Sequence, residues 1–432
     1  MKVSVFALGR TGLPLSLICA DSGFDVIGID INEELVEQIK NGKVPFYEPG
    51  MEKLLKKHLN KKFIPATKIT DDVKKSDYFV IAIGTRFKKY PEKGSLENLY
   101  KVLNRIIKVG VKGKTLIFRV TLPLGTTDKI KKRIEKTGLK EGKDFFLAFV
   151  PERLMEGRAI EEEKNLPKVI GCYNDKSFEK VKKFFNKIGG EIVKVSNPKI
   201  AEAVKLVDNS WRSMRFAFAN EIAYLSDEND INVIEVLKAA NQGYERNQIP
   251  YPGPVSGYCL GKDPYLLEMA FDKVIVRGFN STWYYGRRAN DWLCKKIVKD
   301  AKGKTVLVAG LSFKQDIDDY RNSHSMDIIE LLLSEGYSVI VSDPYLDKTT
   351  YTRLPASIDK NVKKMDFKDA LKKADTIIFS TAHKKYRELN AKNLEKNVKK
   401  GVKIIDLWNI FEGKLEDSKY IEYIGLGRGD LR

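Results

Sequence analysis

The chain reads as an α/β protein made of two doubly wound Rossmann-like domains joined by a long-helix central dimerisation region. Three observations point there. A strand, turn and helix pattern opens the chain, an equivalent pattern recurs after residue 304, and the stretch between them carries a long helical period. At 432 residues, 43% of them apolar, the chain exceeds what one hydrophobic core usually serves, so more than one domain is expected.

The opening string Val3-Ser-Val-Phe-Ala-Leu-Gly-Arg-Thr-Gly-Leu-Pro14 runs from a buried strand into a Gly-containing turn and then into an apolar helix ending near Gly23. Gly23-Phe-Asp-Val-Ile-Gly-Ile-Asp30 follows as a second strand that ends in a carboxylate. Further strands are expected near 78–83, 114–120, 144–150 and 169–172. In the later half, Thr305-Val-Leu-Val-Ala-Gly310 precedes a loop, a helix through 328–333, and Gly336-Tyr-Ser-Val-Ile-Val-Ser-Asp343, with later strands near 376–380 and 402–407. Both halves contain Gly-[Phe/Tyr]-x-Val-Ile-x-x-Asp at the same place in a strand-helix-strand order, which argues for two domains of one architecture.

Between them, Ser196-Asn-Pro-Lys offers a capping residue followed by proline at a helix start. Apolar residues then recur at Ile200, Ala203, Val204, Val207, Trp211, Met214, Phe218, Ile222 and Leu225, the signature of one long amphipathic helix. A second helix is expected over 284–301. The two helices would link the α/β domains and offer an apolar face for pairing two copies of the chain. The expected domains are 1–195, 196–301 and 302–432.

Charge narrows the partners. The formal balance of +19 implies an anionic partner, yet its carriers are mostly lysines dispersed over amphipathic segments, with no aromatic interleaving that would stack bases. Neither a nucleic acid nor a membrane is therefore expected as partner, and no apolar run reaches the length of about 20 residues that spans a bilayer. The four cysteines are far apart and the three histidines cluster with none of them, so no metal site or disulfide framework is expected, which fits a cytoplasmic location.

The string Ala7-Leu-Gly9-Arg10-Thr11-Gly12 lacks the first glycine of the dinucleotide fingerprint, but it follows a strand, opens a helix and is followed about 20 residues on by Asp30. A carboxylate there accepts from ribose hydroxyls and repels a 2′-phosphate, so NAD is expected rather than NADP. Cys259 lies in the Gly/Pro-rich loop Tyr251-Pro-Gly-Pro-Val-Ser-Gly-Tyr-Cys-Leu-Gly-Lys-Asp263. An aldehyde has no hydride to give until a nucleophile adds to it, and a thiol is the best such nucleophile near neutral pH. The alternative is that Cys259 is a small buried residue, as most free cysteines are.

Several ordered strings resemble the UDP-glucose/GDP-mannose dehydrogenase superfamily over nearly the whole chain. They are Thr121-Leu-Pro-Leu-Gly-Thr-Thr127, Pro151-Glu-Arg-Leu-Met-Glu-Gly157, Ala201-Glu-Ala-Val-Lys-Leu-Val-Asp-Asn209, Ser256-Gly-Tyr-Cys-Leu-Gly-Lys-Asp-Pro264, Arg287-Arg-Ala-Asn-Asp291, Gly310-Leu-Ser-Phe-Lys314 and Asp319-Tyr-Arg-Asn-Ser323. The resemblance implies an NAD-dependent nucleotide-sugar 6-dehydrogenase that removes four electrons from a UDP-sugar through a Cys259 thioester. Its implied catalytic groups are Cys259, Lys205, Asn209, Asp263, Thr121 and Glu152. Gly9, Arg10, Thr11, Gly12, Asp30, Thr85, Thr121 and Glu156 are implied around the cofactor. For the sugar nucleotide it implies Glu152, Arg153, Lys205, Asn209, Arg212, Tyr251, Gly253, Gly257, Arg287, Asn290, Phe313, Lys314 and Arg321, the last reaching into the partner's site.

The chain departs from its relatives at Ala7, Val120, Ser256, Arg215 and His324, where glycine, serine, glycine, asparagine and proline respectively are usual. Pro151-Glu-Arg153 and Arg212 look like the branch acting on UDP-N-acetylhexosamines, whereas Lys262-Asp263 looks like the glucose branch. The substrate expected first is UDP-N-acetylmannosamine and second UDP-glucose. The competing readings are a two-electron hydroxyacid-type dehydrogenase, which would need neither Cys259 nor a second α/β domain, and a non-catalytic anion-binding protein.

Overall fold

Short apolar runs, most of them buried on both faces, become the strands of two mostly parallel sheets. The computed structural model describes residues 1–84, 96–257, 259–260, 262–268 and 291–431. These fall into two units, one comprising Met1–Asp208 and the other running from Asn209 onward.

Among the described residues, the first unit holds an eight-stranded sheet in the order β3-β2-β1-β4-β5-β6-β7-β8. Its strands are β1 (Lys2–Phe6), β2 (Asp25–Ile29), β3 (Phe63–Ala66), β4 (Tyr78–Ile81), β5 (Thr115–Phe118), β6 (Phe146–Phe149), β7 (Lys168–Cys172) and β8 (Ile192–Val195). All neighbours are parallel except β6 and β7. The chain reverses its direction of winding between β1 and β4, which register Val3 on Tyr78 and Phe6 on Ile81. In open α/β sheets ligands bind beyond the carboxyl ends of the strands at such a reversal. Phe6, Phe79, Ile81, Leu116, Phe118, Leu147 and Phe149 form a core on this sheet. Each such buried side chain contributes about 1.5–3 kcal/mol relative to exposure.

The second unit repeats the design with six parallel strands in the order β11-β10-β9-β12-β13-β14. They are β9 (Thr305–Ala309), β10 (Ser338–Ser342), β11 (Lys363–Lys364), β12 (Thr376–Phe379), β13 (Val402–Asp406) and β14 (Ile421–Gly425). The shared octapeptide marks the same local structure twice. Asp30 accepts from the Leu8 and Asn32 amides at 2.7 and 2.9 Å. Asp343 accepts from the Leu311 and Tyr345 amides at 2.6 and 2.8 Å.

The long helix spans Pro198–Glu228, and residues 291–300 form another helix. The remainder of the second expected helix lies outside the described residues, as do Thr85, Arg287 and Asn290. The long helix is inverted in polarity. Its buried positions include Glu202, Lys205, Asn209, Ser210, Asn220, Ser226 and Asp227, whereas Ile200, Val207, Trp211, Phe218 and Leu225 are exposed. At 3.6 residues per turn those five apolar residues fall within about 40° of one another. Among the described residues, no helix is long and apolar enough to cross a membrane.

Candidate active site

The turn after β1 is built on backbone geometry that side chains rarely adopt. Ala7 sits at φ 80, the left-handed region where its counterpart after β9 is Gly310 at φ 88. A Cβ on Gly12 would lie 1.8 Å from the Ala7 carbonyl oxygen, so the helix Gly12–Asp21 can start here only with glycine. A Cβ on Gly9 would meet nothing within 4 Å, so packing does not require this glycine, and its use is to let a pyrophosphate approach the backbone. With Asp30 at the end of β2 keeping lone pairs beyond its two amide bonds, the residues fit NAD. Gly12→Ala is expected to abolish saturable NADH binding and Ala7→Gly to raise the melting temperature through relief of about 1–2 kcal/mol of strain. NADH fluorescence titration and thermal unfolding measure the two, and a melting temperature lowered by Ala7→Gly would contradict the strain argument.

Arg10 in this turn stacks on Phe46 at 4.9 Å and pairs with Glu156 at 3.4 Å. Glu48 holds the turn beyond Glu156 by accepting from the Gly157 and Ala159 amides at 2.9 and 2.8 Å. The expected groups Thr121 and Glu152 follow the carboxyl ends of β5 and β6, on the edge of the sheet where the phosphate turn also lies. Glu152 approaches the Lys205 ammonium at 4.0 Å and accepts from the Leu154 amide. It does not pair with its neighbour Arg153, which is bound to Asp208 at 3.3 Å and to the Pro167 carbonyl at 3.1 Å. Lys205 is buried beside Glu152, so it is not a lysine snorkelling from an exposed helix face.

In the second unit, Asp263 is fully buried between two donors, Lys262 Nζ at 2.5 Å and Asn209 Nδ2 at 2.6 Å. Asp263 also begins the helix Asp263–Glu268, and its amide donates to the Cys259 carbonyl at 3.0 Å. Cys259 is exposed, which removes the reading of it as a buried packing residue, while Cys19 and Cys172 are buried and Cys294 is intermediate. Burial pushes the Cys172 and Cys294 thiols up to about 12, so neither is a nucleophile at neutral pH.

Of the residues expected at the sugar nucleotide, Glu152, Arg153 and Lys205 lie in the first unit, whereas Tyr251, Gly253, Gly257, Phe313, Lys314 and Arg321 lie in the second. Gly253 lies so close to Trp408 that a Cβ would be 2.4 Å from the ring, and Gly257 would meet Phe313 at 2.5 Å. The Phe313 amide donates to the Asp319 carbonyl at 3.2 Å, and the Lys314 carbonyl accepts from Ser312 Oγ at 2.7 Å. Arg321 is held by Asp319 and stacks on Tyr351 at 4.6 Å. Tyr251 and Arg212 are exposed, the latter one turn beyond the buried Asn209. Arg215, one of the departures, donates to the Gln248 carbonyl.

Two groups at this loop escaped the sequence reading. Asn220 brackets Gly253, its Nδ2 donating to the Gly253 carbonyl and its Oδ1 accepting from the Gly253 amide, each at 2.9 Å. Its signal was present, because Asn220 is eleven residues, close to three turns, beyond Asn209 on one helix face. The other is the pairing of two departures, Ser256 and His324, at 2.9 Å. His324 Nε2 faces the Ser380 carbonyl at 2.7 Å, which can only accept, so Nε2 carries the proton and Nδ1 accepts from the Ser256 hydroxyl.

Burial pushes the His324 imidazole down to about 4. Since an unfolded histidine titrates near 6.5, the unfolded chain takes up a proton that the folded chain excludes as pH falls below about 6.5, at about 1.4 kcal/mol per pH unit. Wild-type stability is expected to fall from pH 6.5 toward 4 more steeply than that of His324→Gln. Parallel slopes in urea unfolding would contradict it.

Models of the UDP-glucose/GDP-mannose dehydrogenase family match in chain order: its NAD binding domain at residues 1–189, its central domain at 199–291 and its UDP binding domain at 307–413. The UDP-N-acetyl-D-mannosamine dehydrogenase of Pyrococcus horikoshii is 31% identical, with both chains covered in full. The enzyme of that name from Campylobacter jejuni is 33% identical over 90% of this chain and 97% of its own. A solved structure of the Pyrococcus horikoshii enzyme superposes with a TM-score of 0.86 at 30% identity, covering all of both chains. On these matches and on the fold and residues described above, the chain belongs to the UDP-glucose/GDP-mannose dehydrogenase family, an NAD-dependent family of oxidoreductases.

Proposed function

We propose that the protein oxidises the C6 alcohol of UDP-N-acetyl-D-mannosamine to the corresponding uronate, with Cys259 as covalent nucleophile. The observation that carries this reading is an exposed cysteine on a clamped loop, four residues before a fully buried aspartate held by Asn209 and Lys262. A simple alcohol dehydrogenase has no use for such a thiol. The substrate is that of the full-length relatives from Pyrococcus horikoshii and Campylobacter jejuni by their names.

NAD, when bound, supplies the hydride acceptor for both oxidations. The protein's residues move the protons and hold the carbon. In the first oxidation the C6 hydroxyl proton passes through a water to the Asp263 carboxylate, with Thr121 assisting as the family resemblance implies, or to Lys205 in its neutral amine form. The Cys259 sulfur then bonds to the aldehyde carbon, and the Lys205 ammonium and Asn209 amide stabilise the oxyanion that develops. Oxidation of this hemithioacetal leaves a thioester on Cys259. Water cleaves it with Glu152 as base, breaking the carbon–sulfur bond and returning the thiol. Arg321 and Lys314 supply cations to the sugar nucleotide and its phosphates.

The exposed apolar stripe of the long helix supports assembly as a homodimer. Trp211→Asp is expected to lower the solution mass toward that of one chain, read by light scattering; a dimer with unchanged dissociation would exclude this face. The free cysteines fit a cytoplasmic enzyme.

The test is stoichiometric. With UDP-N-acetylmannosamine the proposal requires two NADH and three protons for each uronate formed from one alcohol, two NAD and one water. One NADH per sugar consumed with an aldehyde as final product would overturn it, and faster turnover of UDP-glucose in the same assay would overturn the substrate assignment.

A further inference from the structure

The loop 251–257 is fastened at three points within the second unit, to which it belongs. At the first, Gly253 lies on the Trp408 ring with both of its backbone groups on Asn220. At the second, the Ser256 hydroxyl donates to His324 Nδ1 at 2.9 Å. At the third, the Gly257 amide donates to the Asn322 carbonyl at 2.9 Å.

The first two fastenings share an end. His324 Nε2 and Trp408 Nε1 both donate to the Ser380 carbonyl, at 2.7 and 2.8 Å, just beyond the carboxyl end of β12. Ser380 is itself fixed, its hydroxyl bonded to Ser325 Oγ at 2.8 Å, and Ser325 Oγ reaches the Gly310 carbonyl at 3.1 Å after β9. The anchor is therefore the winding reversal of the second sheet, where β9 and β12 lie side by side.

Downstream, the chain is caught again at Asp263, whose amide donates to the Cys259 carbonyl and whose carboxylate is gripped by Asn209 and Lys262. Cys259 thus hangs between a fixed Ser256–Gly257 and a fixed Asp263. His324 is 2% exposed and both of its ring nitrogens are occupied inside the protein, so it touches no substrate.

We propose that Ser256 and His324 are positioning residues for the Cys259 thiol, holding it in register with the aldehyde carbon. This rests on the reading of Cys259 as nucleophile. A displacement of about 1 Å at a reacting atom can cost about a hundredfold, so a hydrogen bond three residues from the sulfur affects the thiol step while leaving substrate affinity alone.

The experiment follows partition of the aldehyde. In Ser256→Ala, kcat for uronate should fall about tenfold, the rate equivalent of one lost hydrogen bond, with KM for UDP-N-acetylmannosamine and NAD unchanged within about twofold. Aldehyde that escapes the slowed thiol would be caught by added semicarbazide, and the ratio of NADH to uronate would rise above two. Ser256→Thr, which keeps the hydroxyl, should restore both rate and ratio. His324→Gln should show the same defect, and the double variant no further loss, because the two act as one unit. Wild-type kcat and a ratio of two in Ser256→Ala would overturn the proposal, as would a raised KM at unchanged kcat or a Thr variant no better than Ala. Should His324→Gln fail to fold, the part-exposed Ser256 variants decide the matter. Uronate formation by Cys259→Ser would sink the nucleophile reading itself, whereas an inert Cys259→Ser beside a wild-type Ser256→Ala would sink the positioning role alone.

Discussion

Cys259→Ser is expected to lower uronate formation by at least about a thousandfold while leaving the affinities for UDP-sugar and NADH within about twofold. The alcohol oxygen of serine is a far weaker nucleophile than a thiolate at neutral pH. Binding should survive because Cys259 is exposed and contributes little to packing, so the fold loses no core contact. The variant therefore separates chemistry from recognition. NADH quenching and calorimetric titration of the sugar nucleotide measure the second, and chromatography of the uronate the first. Turnover within tenfold of wild type would remove the covalent step, and the thioester with it.

The second large effect is expected at Asp263, which is fully buried against Lys262 and Asn209. Asp263→Asn keeps the shape but removes the negative charge, leaving the Lys262 ammonium, also buried, without its closest counter-charge. Two losses combine. Proton handling by a placed carboxylate contributes about 10²–10⁴-fold to rate. Removing one partner of a buried pair also costs about 3–5 kcal/mol of stability. The expected result is a kcat lower by at least about a hundredfold and a lower melting temperature, while Asn209→Ala, which leaves the charge pair in place, should be milder in both. Equal melting temperatures for wild type and Asp263→Asn would show that the pair is screened by solvent, contrary to its burial.

Much of this site is legible in one dimension because its chemistry depends on fixed local spacing. A phosphate turn needs glycine where Gly12 meets the Ala7 carbonyl, and the octapeptides ending at Asp30 and Asp343 foretell the same pair of amide bonds in both sheets. Lys205 and Asp263 are charged residues that are costly to bury where the structure puts them, whereas Cys259 is exposed. Charge pairing is not legible in this way. Arg153 goes to Asp208 and not to adjacent Glu152, because which long side chains meet depends on how the β6 loop and the long helix pack. The long helix is the clearest case. Its apolar period is plain in the sequence, but the direction in which that face points is not.

The sequence by itself determined the two α/β sheets and the NAD-type turn, since each rests on steric or chemical demands local to short stretches of the chain. Only the tertiary structure decided that the apolar stripe of Pro198–Glu228 faces outward and that its buried face carries Lys205, Asn209 and Asn220. It alone joined Ser256 to His324, 68 positions apart. Contacts of that range depend on how whole elements pack, because a side chain finds its partner only after the backbone entropy between the two has been lost.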